Sequence, residues 1–194
     1  MDRRAIVIIG DDRRFLLESK EFLHFLTSEL GLTDIRVIKT AYMNQGHFKQ
    51  ILKDAIYYGN IEKPMLMVYN GHAEKGGWKI NDYNYFPYDE LARVVAGYGG
   101  PLLIINSCCH AYSLASFLEC LPPQEIGLLA ACDTNQKEYD GFTEDIANSW
   151  RRGKCSDDGP AITFKDEKPR RRRCWGVKLD CYFFKQQKAP PWRN

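Results

Sequence analysis

The sequence lacks any long apolar run. None of its 194 residues fall in a stretch near the roughly 20 apolar residues that a membrane-spanning helix needs. It opens with "MDRRAIVIIGDD", where charges flank a short apolar segment far smaller than the core of a signal peptide. It lacks a CxxC pair and an even cysteine set. Its seven cysteines offer neither the usual zinc spacing nor a disulfide framework. It also lacks a dominant charge: 27 basic against 25 acidic residues give a net charge of +2, which supplies no global attraction to nucleic acid. Internal repeats and low-complexity tracts are missing too. These absences imply a soluble chain in a reducing compartment, expected to be cytoplasmic, with its thiols unpaired.

What is present is an ordinary globular composition, 44% hydrophobic and 27% charged, at a length that suits one domain. Apolar β-branched segments alternate with segments of helical spacing. Strands are expected over 5–10, 34–40, 64–72, 101–108 and 126–132. Helices are expected over 14–31, 44–60, 87–100, 111–121 and 141–153, several of them stopped by glycine or proline. That alternation implies parallel βαβ units with helices on both faces. We divide the chain into a main unit over 1–153 and a β-rich basic extension over 154–194 that completes the same domain, with a loose tail from about 187. The extension holds "KPRRRRCW"; the run Arg170 to Arg173 is the one hint of nucleic acid or an acidic partner, and a solvated face is the commoner meaning of such a run.

Chemistry is expected beyond the carboxyl ends of the strands, where open parallel sheets place their ligands. "MLMVYNGHA" puts His72 after the third strand, and "LLIINSCCHAY" puts Cys108 and Cys109 after the fourth. Neighbouring strands lie ~4.8 Å apart, so an imidazole and a thiol at adjacent strand ends come within reach. A cysteine needs a nearby base or a lowered pKa to attack, and histidine supplies the base. The competing readings are a buried structural thiol and a metal site, the latter disfavoured because adjacent cysteines do not easily share one tetrahedral zinc. "GDDRR" has the acidic pair of a phosphorelay receiver, but Asn70 occupies the place of that family's phosphoacceptor aspartate. The loop "EKGGWKINDYNYF" offers Trp78 and Tyr83 as aromatic anchors for a cleft wall, or else forms a small hairpin packed on the sheet.

Three segments, in order, resemble the caspase-like cysteine peptidases (clan CD: caspases, metacaspases and bacterial caspase homologues, with a peptidase C14-type domain). "MLMVYNGHA" resembles their strand followed by (S/N)-G-H-G. "LLIINSCCHA" resembles their strand followed by Asp/Gln-x-Cys, and "LLAACDTNQKEYDGFTEDI" their next strand and loop. The resemblance covers most of residues 5 to 150. It implies a caspase-hemoglobinase-like three-layer α/β sandwich, with a mostly parallel central sheet and helices on both faces. It implies a cysteine endopeptidase acting on a protein or peptide, with a regulatory protein as a further partner and neither cofactor nor metal. His72 would be the general base or acid. Aligning Asn106-Ser107-Cys108 with Asp-Ser-Cys makes Cys108 the nucleophile, the register we prefer. Aligning Cys108-Cys109-His110 with Cys-Cys-His makes it Cys109. The oxyanion hole would use the backbone N–H groups of Cys108 and Ala73. Substrate contacts would fall to Asn106, Asp133, Asp140, Trp78 and Arg13, with Arg14 beside the last. Three departures from the family pattern, Ala73 for Gly, Asn106 for Asp and "CHAY" for the usual "HSG", favour the alternative: a catalytically silent binding or regulatory module.

Overall fold

The computed structural model describes residues 3–122, 125–132, 135, 141–151 and, as backbone, 173–176. Six strands form the central sheet: β1 (Arg4–Ile9), β2 (Asp34–Lys39), β3 (Met65–Asn70), β7 (Leu102–Ser107), β8 (Ile126–Ala130) and β9 (Arg173–Gly176). Their spatial order is β2-β1-β3-β7-β8-β9. The first five are parallel, and β9 runs antiparallel to β8, from Gly127 opposite Gly176 to Ala130 opposite Arg173. Strands β1, β3 and β7 are buried along their whole length, as central strands covered on both faces must be.

The helices are α1 (Arg13–His24), α2 (Gln45–Tyr57), α3 (Tyr88–Val95), α4 (Ala115–Leu118) and α5 (Phe142–Arg151). Helices α1 and α5 pack together, with the Phe25 ring at the end of α1 lying 6.1 Å from that of Trp150. Asn70 points to this layer, reaching Ser19 of α1. The opposite face carries α2, α3 and α4. Arg4 shows how firmly that face is tied: its buried guanidinium donates to the carbonyls of Ala55, Ile56 and Tyr58, which closes the C-terminal end of α2. A cation there satisfies orphan carbonyls and the negative end of the helix dipole together.

Three segments differ from the sequence expectation, each for a local reason. The helix expected over 14–31 ends at His24 and widens into a π-helical turn, Phe25–Glu29, closed by Leu30 N–H on Phe25 O at 3.1 Å. The Thr27 hydroxyl donates to Leu23 O and His24 O, competing for the carbonyls that a regular helix would use. The helix expected over 111–121 is a 3-10 turn, Ala111–Leu114, followed by α4 alone. Ser113 and Ser116 turn their hydroxyls back onto His110 O and Ser113 O in the same way. Residues 74–86 form neither an open wall nor a simple hairpin. They belong to a three-stranded antiparallel sheet of β4 (Ala73–Glu74), β5 (Gly77–Lys79) and β6 (Tyr85–Pro87). The Trp78 ring lies flat against Tyr69 of β3, with centroids 4.3 Å apart.

Candidate functional site

The two strand ends singled out in the sequence lie side by side. Strand β3 pairs with β7 in the register Tyr69 opposite Asn106 and Asn70 opposite Ser107. The last ladder bond runs from Gly71 N–H to Ser107 O at 3.2 Å. Registered residues of a parallel pair point to the same face, and the face alternates along the chain. Asn106 and Cys108 share the face of the small sheet: Asn106 Oδ1 accepts from Trp78 Nε1–H at 2.8 Å and from the Cys108 thiol at 3.2 Å. Ser107 and Asn70 share the α1 face. The ladder ends there: His72 follows the end of β3, with its ring against Phe15 of α1, and Cys108 and Cys109 follow the end of the neighbouring β7.

Burial separates the two cysteines. Cys108 is 0% exposed, and its sulfur also lies 3.7 Å from the Tyr88 hydroxyl. Cys109 is partly exposed. Cys108, the nucleophile preferred from the sequence, is thus the buried member of the pair, with its thiol engaged by Asn106 and Tyr88. Strand β7 ends at Ser107, one residue short of the expected 108, and Cys108 bonds to the same buried Asn106 that precedes it by two residues. Immediately after Cys109, His110 adopts φ 55° and ψ 26°, the one left-handed non-glycine residue among those described. That conformation is costly for a side chain with a Cβ, and such outliers gather at functional sites. It turns the chain sharply away from the strand direction just past Cys109.

His72 projects from the rim with half its side chain exposed (51%). Its carbonyl is fixed from two directions, by Lys79 N–H at 2.9 Å and by the Tyr69 hydroxyl at 2.6 Å. Its ring meets the edge of Phe15, with centroids 4.8 Å apart and planes at 81°. Asp12 Oδ2 is 4.0 Å from Nε2. Partial burial, followed by the positive charge of Arg14, holds the imidazole pKa below its ordinary value, so the ring is neutral near pH 7 and able to accept a proton.

Ala73 sits opposite Trp78 in the small sheet, while Lys79 N–H bonds to His72 O. In antiparallel alternation this makes Ala73–Trp78 the pair that exchanges no ladder bonds, so the Ala73 N–H points away from β5. Ala73 also lies outside the left-handed region, so the absence of glycine there carries no backbone strain.

Other expected substrate contacts fall elsewhere. Trp78 and Asn106 are both wholly buried. Trp78 is corrected from a cleft wall to a core residue, and Asn106 from a substrate contact to the centre of a buried network. Besides Trp78 and Cys108, that network includes Asn106 Nδ2–H donating to Ala111 O at 2.8 Å and to the Tyr88 hydroxyl at 3.3 Å. Arg13 is exposed at the first residue of α1. Arg14 places its guanidinium 4.7 Å from the centre of the Phe15 ring. Asp133 and Asp140 lie outside the described residues, as do Arg170 to Arg172.

Two neighbours of the site went unassigned in the sequence. Asp12 immediately precedes a helix, the signature of an N-cap, and that signal was available. Tyr88 gives no local sign that it reaches under β7. Burial, and next the Cys108 sulfur, push its phenol well above the ordinary range, so it stays protonated as a hydrogen-bonding strut. Among the described residues no group of three or more His, Cys, Asp or Glu is placed to hold a metal ion. No helix among them is long and apolar enough to cross a membrane.

No protein-family model matches the chain, and no curated protein matches it in sequence. Solved structures do match it in shape. Caspase-1 from Spodoptera frugiperda superposes with a TM-score of 0.63 at 10% identity, over 90% of this chain and 86% of that one. Protein GSU0716 from Geobacter sulfurreducens superposes with a TM-score of 0.66 at 13% identity, over 95% of this chain and 97% of that one. At these identities the likeness is one of fold. The chain has the caspase-like α/β fold, a mostly parallel central sheet between two helical layers.

Proposed function

On this caspase-like fold, we propose that the protein is a cysteine endopeptidase of the C14 type, working in a reducing, cytoplasmic setting, with Cys109 as nucleophile and His72 as base. The observation that carries the reading is the register of β3 and β7. His72 and the cysteine pair follow the ends of these neighbouring parallel strands, and of the two thiols Cys109 is partly exposed while Cys108 is buried, which supports Cys109 as the nucleophile. The substrate is a protein or peptide, and the chemistry needs no cofactor.

His72 takes the Cys109 proton, and the sulfur adds to the scissile carbonyl carbon. The negative oxygen is met by the backbone N–H groups of Ala73 and Cys109, fixed dipoles that need no rearrangement as charge develops. Collapse of the tetrahedral adduct breaks the C–N bond, and the imidazolium donates its proton to the departing amine. A thiol ester remains. Water, deprotonated by His72, adds to it, and C–S cleavage releases a carboxylic acid and restores the thiol.

One observation favours the rival reading, a catalytically silent binding or regulatory module. Asn106 stands where the family often has an acid, and all its polar atoms are spent inside the fold. Reaction with a peptidyl chloromethyl ketone decides between the two, alongside a peptide-library cleavage profile. The peptidase alkylates at Cys109, at a rate that Cys108→Ala keeps and that Cys109→Ala and His72→Ala abolish or sharply reduce. Labelling no faster than that of a simple thiol, with no cleavage, establishes the silent module.

A further inference from the structure

We propose that Asp12 is a positioning residue for His72: its outer carboxylate oxygen holds the imidazole with the proton on Nε2, leaving Nδ1 as the basic nitrogen. This rests on the Cys109/His72 reading and adds a third group to it.

The Asp12 carboxylate is not a loose surface charge. Its Oδ1 accepts the Arg14 N–H at 2.8 Å as the N-cap of α1, which ties one oxygen to the backbone. The other, Oδ2, is thereby left to face His72 Nε2 at 4.0 Å. That distance is about 1 Å longer than a hydrogen bond, within reach of a side-chain adjustment or one bridging water. Catalytic contacts are commonly looser before substrate binds than after.

The sequence builds this approach deliberately at two glycines. Gly10 N–H donates to Asn70 O at 2.8 Å, and a Cβ on Gly10 would lie 2.9 Å from the Cα of Gly71. The chain leaving β1 can therefore run against the chain leaving β3, which delivers Asp12 two residues after Gly10 and His72 one residue after Gly71. Phe15, in the first turn of the same helix, meets the imidazole edge-on and limits its rotation. The start of α1 thus supplies both a wall and a carboxylate.

Four charged groups act on the ring. Asp12 and Arg14 come from the start of α1, and Lys79 and Asp82 from β5 and the turn after it. Lys79 Nζ pairs with Asp82 Oδ1 at 3.3 Å, so their effects on the ring largely cancel. Arg14 is stacked on Phe15 and opposes protonation. Both carboxylates favour it, Asp12 more than Asp82, and Asp12 Oδ2 lies 4.0 Å from Nε2. A carboxylate so placed selects the Nε2–H tautomer and stabilises the imidazolium once the thiol has given up its proton.

The test is Asp12→Asn, because asparagine also caps helices and so keeps α1 intact. In the wild type and the variant, the titration and tautomer of His72 are followed by 15N NMR, with peptide cleavage measured in parallel. We expect the His72 pKa to fall further in the variant, the Nε2–H tautomer to lose its dominance, and kcat/KM to drop on the order of tenfold with KM little changed, the pattern of lost positioning. Unchanged titration and tautomer would reduce Asp12 to a helix cap and overturn the inference. A wild type that neither cleaves peptides nor alkylates faster than a simple thiol defeats the peptidase reading instead, and the NMR titration still decides whether Asp12 holds the ring.

Discussion

The Trp78 indole N–H donates to Asn106 Oδ1 at 2.8 Å, joining the small antiparallel sheet to the last turn of β7 from inside. Asn106 uses both ends of its amide, accepting from Trp78 and Cys108 while donating to Ala111 O and Tyr88. An acid in place of this amide would therefore break the network rather than add to it. Asn106→Asp puts a carboxylate oxygen against the Ala111 carbonyl in a site with no exposure. The unpaired buried charge, or the proton uptake needed to avoid it, is expected to cost about 2–4 kcal/mol. Urea unfolding at pH 7 reads this directly; wild-type stability in the variant would mean that the Asn106 amide network does not hold this end of β7.

The cysteines give an independent readout of the site's two faces. Cys109 and Cys120 are accessible to different degrees, while Cys108 and Cys132 are buried. Brief treatment of the native protein with iodoacetamide, followed by peptide mapping, is expected to modify Cys109 and Cys120 and to spare Cys108 and Cys132 until denaturant is added. Native-state modification of Cys108 ahead of Cys109 would reverse the assignment of the nucleophile. The mapping must resolve individual peptides, since the chain holds seven cysteines.

Much of this architecture was legible in the residues. The β-branched runs and the glycine stops located the strands, and with them the neighbouring strand ends that His72 and the cysteine pair follow. The unequal burial of Cys108 and Cys109 was not legible, because it depends on where β7 stops and what packs beneath it, a matter of contacts between segments far apart in the chain. Trp78 was misplaced for a related reason. An aromatic in a glycine-bearing loop looks the same whether it faces solvent or stacks on Tyr69, and only the pairing of β5 with β6 turns it inward. The departures from regular helix after His24 and at Ala111 come from Thr and Ser hydroxyls that bond backwards, a competition that hydrophobic spacing does not register.

The neutral state of His72 sets a pH dependence whose sign follows from its surroundings. Partial burial first, and Arg14 next, lower its pKa in the folded protein. The unfolded imidazole therefore binds its proton at higher pH than the folded one. This group's contribution to stability is present above the unfolded value and is lost as pH falls through the folded one. His72→Gln should remove that small component of acid sensitivity. In the wild type, an NMR titration of His72 should find its midpoint below the ordinary 6.5. A midpoint above that value would mean that Asp12 outweighs burial and Arg14 in solution.

Gly10 offers the sharpest separation of site geometry from overall fold. A methyl there would lie 2.9 Å from Gly71 Cα and 3.3 Å from the Phe15 ring, and the first of these is backbone that no rotamer change can move aside. Gly10→Ala must push the chain after β1 away from the chain after β3, at a cost of about 1–3 kcal/mol for overpacking. The displaced segment is the one carrying Asp12 and the start of α1, so the imidazole loses its carboxylate and part of its aromatic wall together. Alkylation of Cys109 by a peptidyl chloromethyl ketone should then slow markedly at temperatures well below the melting transition, while far-ultraviolet circular dichroism stays that of the wild type. Gly59→Ala serves as the control: its φ of 69° makes it strained as well, but nothing lies within 4 Å of the added carbon and it sits after α2, away from the site. If both variants lose stability alike and neither slows the thiol, the contact between the two glycine-bearing strand ends has no part in arming the site.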